Sequence, residues 1–118
     1  MATTFERCVT PGGVLNVRVA GNLVARGLGL LVGRPLAAEE GLLIAPCSSI
    51  HTLGMRYAID VVFVDRGARV LRVYCDVRAA RVRIAPGARG ALELRSGVAA
   101  LHGLASGVRL QELTAALA

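Results

Sequence analysis

Residues 57–64 read Tyr-Ala-Ile-Asp-Val-Val-Phe-Val and form the clearest strand pattern in the chain. Both alternating faces of this stretch are apolar except at Asp60, which is typical of a strand covered on its two sides. The next three residues, Asp65-Arg66-Gly67, are a hairpin turn signal. We therefore predict a central strand that continues directly into an antiparallel neighbour.

Shorter strand patterns surround this central strand. They lie at residues 7–10, 14–20, 41–45, 71–77, 81–84, 91–94 and 108–110, separated by glycine and proline turn signals. One segment between them has the spacing of a helix, with Asn22 as its N-cap and a stop at Gly33 and Pro35. Further helical turns are expected at residues 98–101 and 111–117.

These elements are joined by hairpin-type links and do not alternate regularly as β-α-β units. The fold class predicted is therefore α+β: a mostly antiparallel, strongly bent or barrel-like sheet of about seven short strands with one main helix. The length of 118 residues predicts a single domain over residues 1–118. Hydrophobic residues make up 54% of the chain, which excludes disorder.

The charge of the chain comes entirely from arginine. There are 14 arginines and no lysine against 8 acidic residues, a formal net charge of +6. The arginines are dispersed, and aromatic residues amount to 3%, so the chain lacks the clustered cations and stacking platform typical of nucleic-acid binding. We expect no nucleic-acid partner and assign the arginines mainly to solvent-facing positions.

The cellular setting is predicted from cysteines and apolar runs. Cys8, Cys47 and Cys75 are odd in number and form no CxxC pair, which favours reduced thiols and a cytoplasmic location. No apolar run approaches the roughly 20 residues of a membrane span, and no secretory signal is recognisable at the first residues. The expectation is a small soluble domain with no membrane span.

Candidate site residues centre on the polar segment His51 to Asp60. A carboxylate in an apolar strand needs donors, so Asp60 either accepts backbone N–H groups or an arginine as a structural anchor, or forms a pocket for a small ligand with His51 and Arg56. Arg56 and Asp60 would lie roughly 13 Å apart along one strand, too far for a direct pair. Glu93, between Leu92 and Leu94, is a second acid in an apolar strand.

Other chemistry finds little support in the sequence. Cys47, His51 and Met55 are spaced four residues apart and are ligand types that copper accepts. A continuous helix would align them, but Pro46 and Gly54 argue against such a helix. The chain carries neither a nucleophile elbow nor a phosphate-binding glycine motif. Cys47 with His51 and Cys75 with His102 are the remaining possible catalytic cysteine–histidine pairs, and nothing in their spacing favours either. We expect no metal, no cofactor and no assigned catalytic residue.

Four short blocks carry a family resemblance: Gly29-Leu-Leu-x-x-Arg34-x-Leu36, Gly41-Leu-Leu-Ile, Ile59-Asp-Val-Val-Phe-Val-Asp65 and Leu92-Glu-Leu-x-x-Gly97. In order and spacing they resemble domain-of-unknown-function family 192 over about residues 14–111. The segment 51–55, His-Thr-Leu-Gly-Met, replaces the Trp-Met-Lys-Asn-Thr-like segment of many members and marks a variant branch.

The resemblance implies a small α+β domain with no established activity. It places Arg34, Asp60 and Glu93 on the recurrent polar positions of the family, so the candidate ligand-binding residues are Arg34, His51, Arg56, Asp60 and Glu93. The function expected first is a non-enzymatic module that binds a small ligand or a protein partner, accessory to bacterial envelope or pilus assembly. The alternative is a small hydrolase that uses His51, Arg56 and Asp60 on an anionic or sugar-like substrate.

Overall fold

Alternating apolar side chains and tight turns organise the chain into strands. The computed structural model describes residues 4–20, 36–53 and 55–118. In these ranges the strands are β1 (Thr4–Thr10), β2 (Gly13–Val19), β3 (Glu40–Ile44), β4 (Ser49–His51), β5 (Ile59–Val64), β6 (Val70–Val77), β7 (Val82–Ile84) and β8 (Gly90–Arg95). The short helices are α1 (Val98–Leu101), a 3-10 helix (Gln111–Leu113) and α2 (Thr114–Leu117).

Six of these strands form one sheet in the order β1-β2-β3-β8-β5-β6, and β4 pairs with β7 in a separate small sheet. Every neighbouring pair is antiparallel except β2 and β3, which are parallel. A parallel pair needs a long connection, and residues 20–39 supply it. The largely antiparallel sheet predicted from the sequence is confirmed, with one parallel pair that makes it mixed.

The barrel-like alternative is wrong. In the described parts of the chain the six-stranded sheet is open, with β1 and β6 as its two edges. Closure would require these two edges to pair, whereas β6 pairs with β5 and β1 with β2. The predicted main helix that starts at Asn22 lies outside the described residues.

Other sequence predictions differ in detail. The strand expected at residues 108–110 is only an isolated bridge between Arg69 and Arg109. Strand β4 was not predicted, because its residues directly follow the Cys47-Ser-Ser stretch, which the sequence indicates as a serine-rich bend.

Both faces of the large sheet are covered, which explains why β5 is apolar throughout. All six β5 residues are buried. Val62 and Val64 belong to the first core cluster, under α1 and the C-terminal segment, whereas Ile59, Val61 and Phe63 belong to the second. In the second cluster Ile50 of β4 packs on the sheet, so the small sheet lies over that face.

Candidate functional site

Asp60 is completely buried, and three backbone N–H groups surround its carboxylate. The N–H of Asp76 donates to Oδ1 at 2.8 Å, and the N–H groups of Gly97 and Ala99 donate to Oδ2 at 3.0 Å each. Gly97 is the N-cap of α1 and Ala99 lies in its first turn, where N–H groups have no partners within the helix. Asp60 therefore ties β6 and α1 to the central strand, and the anchoring alternative is what the geometry shows for this side chain.

The segments that Asp60 holds have unusual backbone conformations. Gly97, before α1, has a φ of +93°, and Asp76 in β6 has a φ of +53°. A positive φ is disfavoured for a residue with a side chain, so Asp76 needs external support. Its N–H donates to Asp60, and its own carboxylate accepts a hydrogen bond from the Ser96 hydroxyl at 2.8 Å. The surroundings of Asp60 thus support a strained turn of the backbone.

Glu93 is a second buried acid, on the neighbouring strand β8. It lies opposite Leu42 of β3 and Val61 of β5, on the face of the second core cluster, and only 8% of its surface is exposed. Burial raises the pKa of this carboxyl to about 7. Within residues 4–20, 36–53 and 55–118, no group donates a hydrogen bond to it. Glu93 is therefore a carboxyl group whose protonation changes near neutral pH.

A cleft lies beside Tyr57 and Arg95, and Glu93 itself is not among the residues that line it. The cleft has a volume of about 600 Å³ and is lined by Leu36, Ala37, Tyr57, Ala58, Arg95 and Ser96. Burial and, next, the charge of Glu93 raise the pKa of the Tyr57 phenol, which places the phenol within electrostatic range of that acid. Arg95 follows Glu93 by two residues in β8 and so shares its face of the sheet.

The other predicted site residues do not join this group in the described structure. His51 is exposed on β4, where its strand partner is Val82. Arg56 is exposed in the connection to β5. Arg34 lies outside the described residues. The geometry thus separates Asp60, which is enclosed by backbone, from His51 and Arg56, which face solvent.

The cysteines and histidines do not form a nucleophilic pair in the described residues. Burial and the nearby Glu112 raise the pKa of the Cys8 thiol to about 12. Burial, Asp60 and Asp76 raise the pKa of Cys75. The Cys47 thiol donates to the Ser49 carbonyl at 3.0 Å, and His102 is buried with Nδ1 2.6 Å from the Thr10 hydroxyl. Neither the Cys8 nor the Cys75 thiol is poised as a thiolate.

Two further residues of the cleft, Tyr57 and Arg95, were missed by sequence reasoning. Alternation along β8 could have placed Arg95 on the face of Glu93. Nothing in the sequence signals Tyr57, because it approaches the sheet from the connection between β4 and β5. No helix among the described residues is long and apolar enough to cross a membrane, and no cluster of three or more histidine, cysteine or acidic side chains there could hold a metal ion.

Comparison with known proteins assigns the chain to a family. Residues 7–112 match the family model DUF192, described as an uncharacterized ACR, and the chain belongs to this family. No curated protein matches it. The resemblance seen in the sequence is thereby confirmed.

Two solved structures share the fold. A protein of unknown function from Novosphingobium aromaticivorans DSM 12444 is 21% identical, with a TM-score of 0.77 over 91% of this chain and 83% of the other. A protein from Sinorhizobium meliloti 1021, named as a candidate transcription regulator, is 19% identical, with a TM-score of 0.77 over 92% of each chain. At these identities the similarity shows the fold, and the protein is an uncharacterised small domain.

Proposed function

We propose that this protein is a non-enzymatic module that binds a small polar ligand in the cleft beside Tyr57. The observation that carries the proposal is the buried Glu93 carboxyl, which lacks a donor among the described residues. A buried acid in this condition costs free energy, and a ligand that brings a donor would offset that cost. Natural binding sites combine apolar walls with a few such polar groups.

The chemistry of the cleft narrows the ligand class. Glu93, on the same face of β8 as Arg95 but outside the lining of the cleft, would accept a hydrogen bond from an ammonium or hydroxyl group that a ligand extends past Tyr57. The exposed guanidinium of Arg95 would bind a carboxylate or another acceptor. Leu36, Ala37 and Ala58 supply apolar walls. These groups together favour a small molecule that carries a donor and an acceptor a few ångströms apart, such as an amino-acid-like or sugar-like compound.

A hydrolase that uses His51, Arg56 and Asp60 is not favoured. Its acid, Asp60, is fully buried and already accepts three backbone N–H groups, while His51 is exposed. The Ser96 hydroxyl in the same cleft donates to the Asp76 carboxylate, which is a bonding role and not that of an activated nucleophile. Three free cysteines also support a reducing compartment, so we place this module in the cytoplasm.

The test is a ligand titration on matched variants. Free amino acids, small amines and monosaccharides are screened by thermal melting, and each hit is titrated by NMR, because a ligand of the native state raises the melting temperature. We expect at least one hit whose dissociation constant rises tenfold or more in Glu93→Gln and in Arg95→Gln. The control, Glu39→Gln, changes an exposed acid and should bind normally. A panel without hits, or a hit insensitive to both cleft variants, would contradict the proposal.

A further inference from the structure

The small sheet presents aliphatic side chains to solvent. Val82 and Ile84 of β7 are 64% and 55% exposed, and Leu53, which follows β4, is 59% exposed. Val82 lies opposite His51 and Ile84 opposite Ser49, so all four are on the outer face, while Ile50 points into the second core cluster. We call Leu53, Val82 and Ile84 the aliphatic tip.

The aliphatic tip is held in place by Thr52, which is 1% exposed. The N–H of Thr52 donates to the Arg81 carbonyl at 2.9 Å, and its hydroxyl donates to the Arg78 carbonyl at 2.6 Å. The N–H of Arg81 donates back to this hydroxyl at 2.9 Å, and the N–H of Ala80 donates to the Thr52 carbonyl at 3.1 Å. These bonds fix Leu53 beside the turn that carries Arg78 and Arg81.

The segments of the chain that carry the aliphatic tip contain basic and no acidic residues. Residues 41–59 and 77–92, which contain the small sheet, include no acidic residue and five arginines. Arg56, Arg78 and Arg81 are exposed. The guanidinium of Arg83 lies 5.6 Å from the centre of the Tyr74 ring, and that of Arg72 lies 5.7 Å from it. Arg56, Arg78 and Arg81 are thus exposed cations in the segments that adjoin the aliphatic tip, whereas Arg83 alternates with Val82 and Ile84 and points to the opposite face of β7, toward Tyr74.

We propose that the aliphatic tip and its arginines dock on a membrane surface rich in anionic lipid. Interfacial binding needs apolar side chains that enter the acyl boundary together with cations that pair with headgroup phosphates. Both kinds of side chain are exposed here, in the small sheet and in the turns that adjoin it. Val82 and Ile84 protrude from the outer face of the small sheet, and Leu53 is exposed just after β4. A fluid lipid surface accepts such protruding side chains without a matching groove.

The same observations argue against a nucleic acid. Base stacking needs an accessible aromatic ring, but the guanidinium groups of two arginines already lie over the Tyr74 ring. The Tyr74 hydroxyl also donates to the Ile84 carbonyl at 2.9 Å. Exposed valine, isoleucine and leucine side chains would also gain nothing from a phosphate backbone. Charge alone would suit any polyanion, so the aliphatic side chains are the discriminating feature.

The experiment measures co-sedimentation of the full chain with vesicles of phosphatidylcholine alone or mixed with phosphatidylglycerol. We expect binding only to the anionic vesicles, weakened by added salt. Arg78→Gln with Arg81→Gln should lower the partition coefficient roughly 25-fold, since each arginine near such a surface contributes about fivefold. The control pair, Arg7→Gln with Arg66→Gln, removes two exposed charges elsewhere and should lower it far less.

The aliphatic side chains are tested separately. Leu53→Ser alone should lower the partition coefficient about threefold. The triple variant Leu53→Ser, Val82→Ser and Ile84→Ser should lower it by about tenfold or more. Leu101→Ser is the matched control, because Leu101 is 68% exposed on α1. Leu53 is exposed, so its single variant remains informative if the triple variant fails to fold. The proposal is overturned if anionic vesicles do not bind. It is also overturned if binding to the vesicles survives the serine variants. Binding of polyglutamate or duplex DNA that is as tight as binding of the vesicles, and that does not depend on the aliphatic tip, would overturn it as well.

Discussion

Asp60 and Glu93 lie on adjacent strands and are both buried, yet their surroundings are opposite. Asp60 accepts three backbone N–H groups, whereas Glu93 accepts none from the described residues. The strand register explains the difference in position. Asp60 pairs with Leu94 and Val61 pairs with Glu93, so the two acids point to opposite faces of the same sheet.

Burial alone therefore does not define a binding site. The face of Asp60 is closed by α1, whose first turn offers unpaired N–H groups that a carboxylate satisfies. The face of Glu93 has a cleft and a phenol but no comparable backbone donors. A satisfied acid stabilises the fold, whereas an unsatisfied acid is available to a ligand, and its pKa is raised by burial.

The substitution that should destabilise the protein most is at Asp60. Asp60→Asn turns one carboxylate oxygen into an NH₂ group that faces N–H donors, so at least one buried N–H loses its acceptor. We expect a loss of about 3 kcal/mol or more in the free energy of unfolding, measured by urea denaturation. Asp65→Asn is the control, because Asp65 also accepts two backbone N–H groups, from Gly67 and Arg69, but in an exposed turn. Equal losses in the two variants would contradict the anchoring role.

Replacement of Glu93 should change the free energy of unfolding in the opposite direction, toward higher stability. The folded-state pKa of Glu93, about 7, lies above its usual value of 4.5, so its contribution to stability is fully present below pH 4.5 and is lost as the pH rises through 7. Glu93→Gln should match the parent protein at pH 4.5 and exceed its stability at pH 8 by up to about 3 kcal/mol. Denaturation at the two pH values measures this. A stability difference that is the same at both pH values would show that Glu93 does not titrate as inferred.

The smallest effect tests how far the Asp60 anchor extends toward the surface. Ser96→Ala removes the exposed hydrogen bond to Asp76, whose N–H donates to Asp60. We expect a loss of about 0.5 kcal/mol, as for other solvent-accessible hydrogen bonds. Ser106→Ala, another exposed serine, gives the baseline in the same urea titration. A loss of stability close to that of Asp60→Asn would mean that the anchor at Asp60 depends on the hydrogen bond between Ser96 and Asp76.

Much of the fold was predictable, because it is carried by local patterns. The turn at residues 11–13, the alternation along β6 and the apolar β5 all indicate strands that the structure contains. Strand β4 and the parallel pairing of β2 with β3 were not predicted, since neither leaves a mark within a few residues. Asp60 and Glu93 were singled out because each interrupts an apolar strand. His51 was grouped with Asp60 on closeness in sequence, but the pairing of β4 with β7 directs it to solvent.

The positions of most strands and the burial of Asp60 and Glu93 follow from the pattern of apolar neighbours along the chain, with β4 as an exception. Which of the two acids receives donors depends on how distant segments pack together. The N–H groups of Gly97 and Ala99 reach Asp60 from 37 and 39 residues away, and a shift of one residue in the register between β5 and β8 would alter which face each acid occupies. The cost of burying a charge is local, but the groups that offset it come from distant parts of the chain.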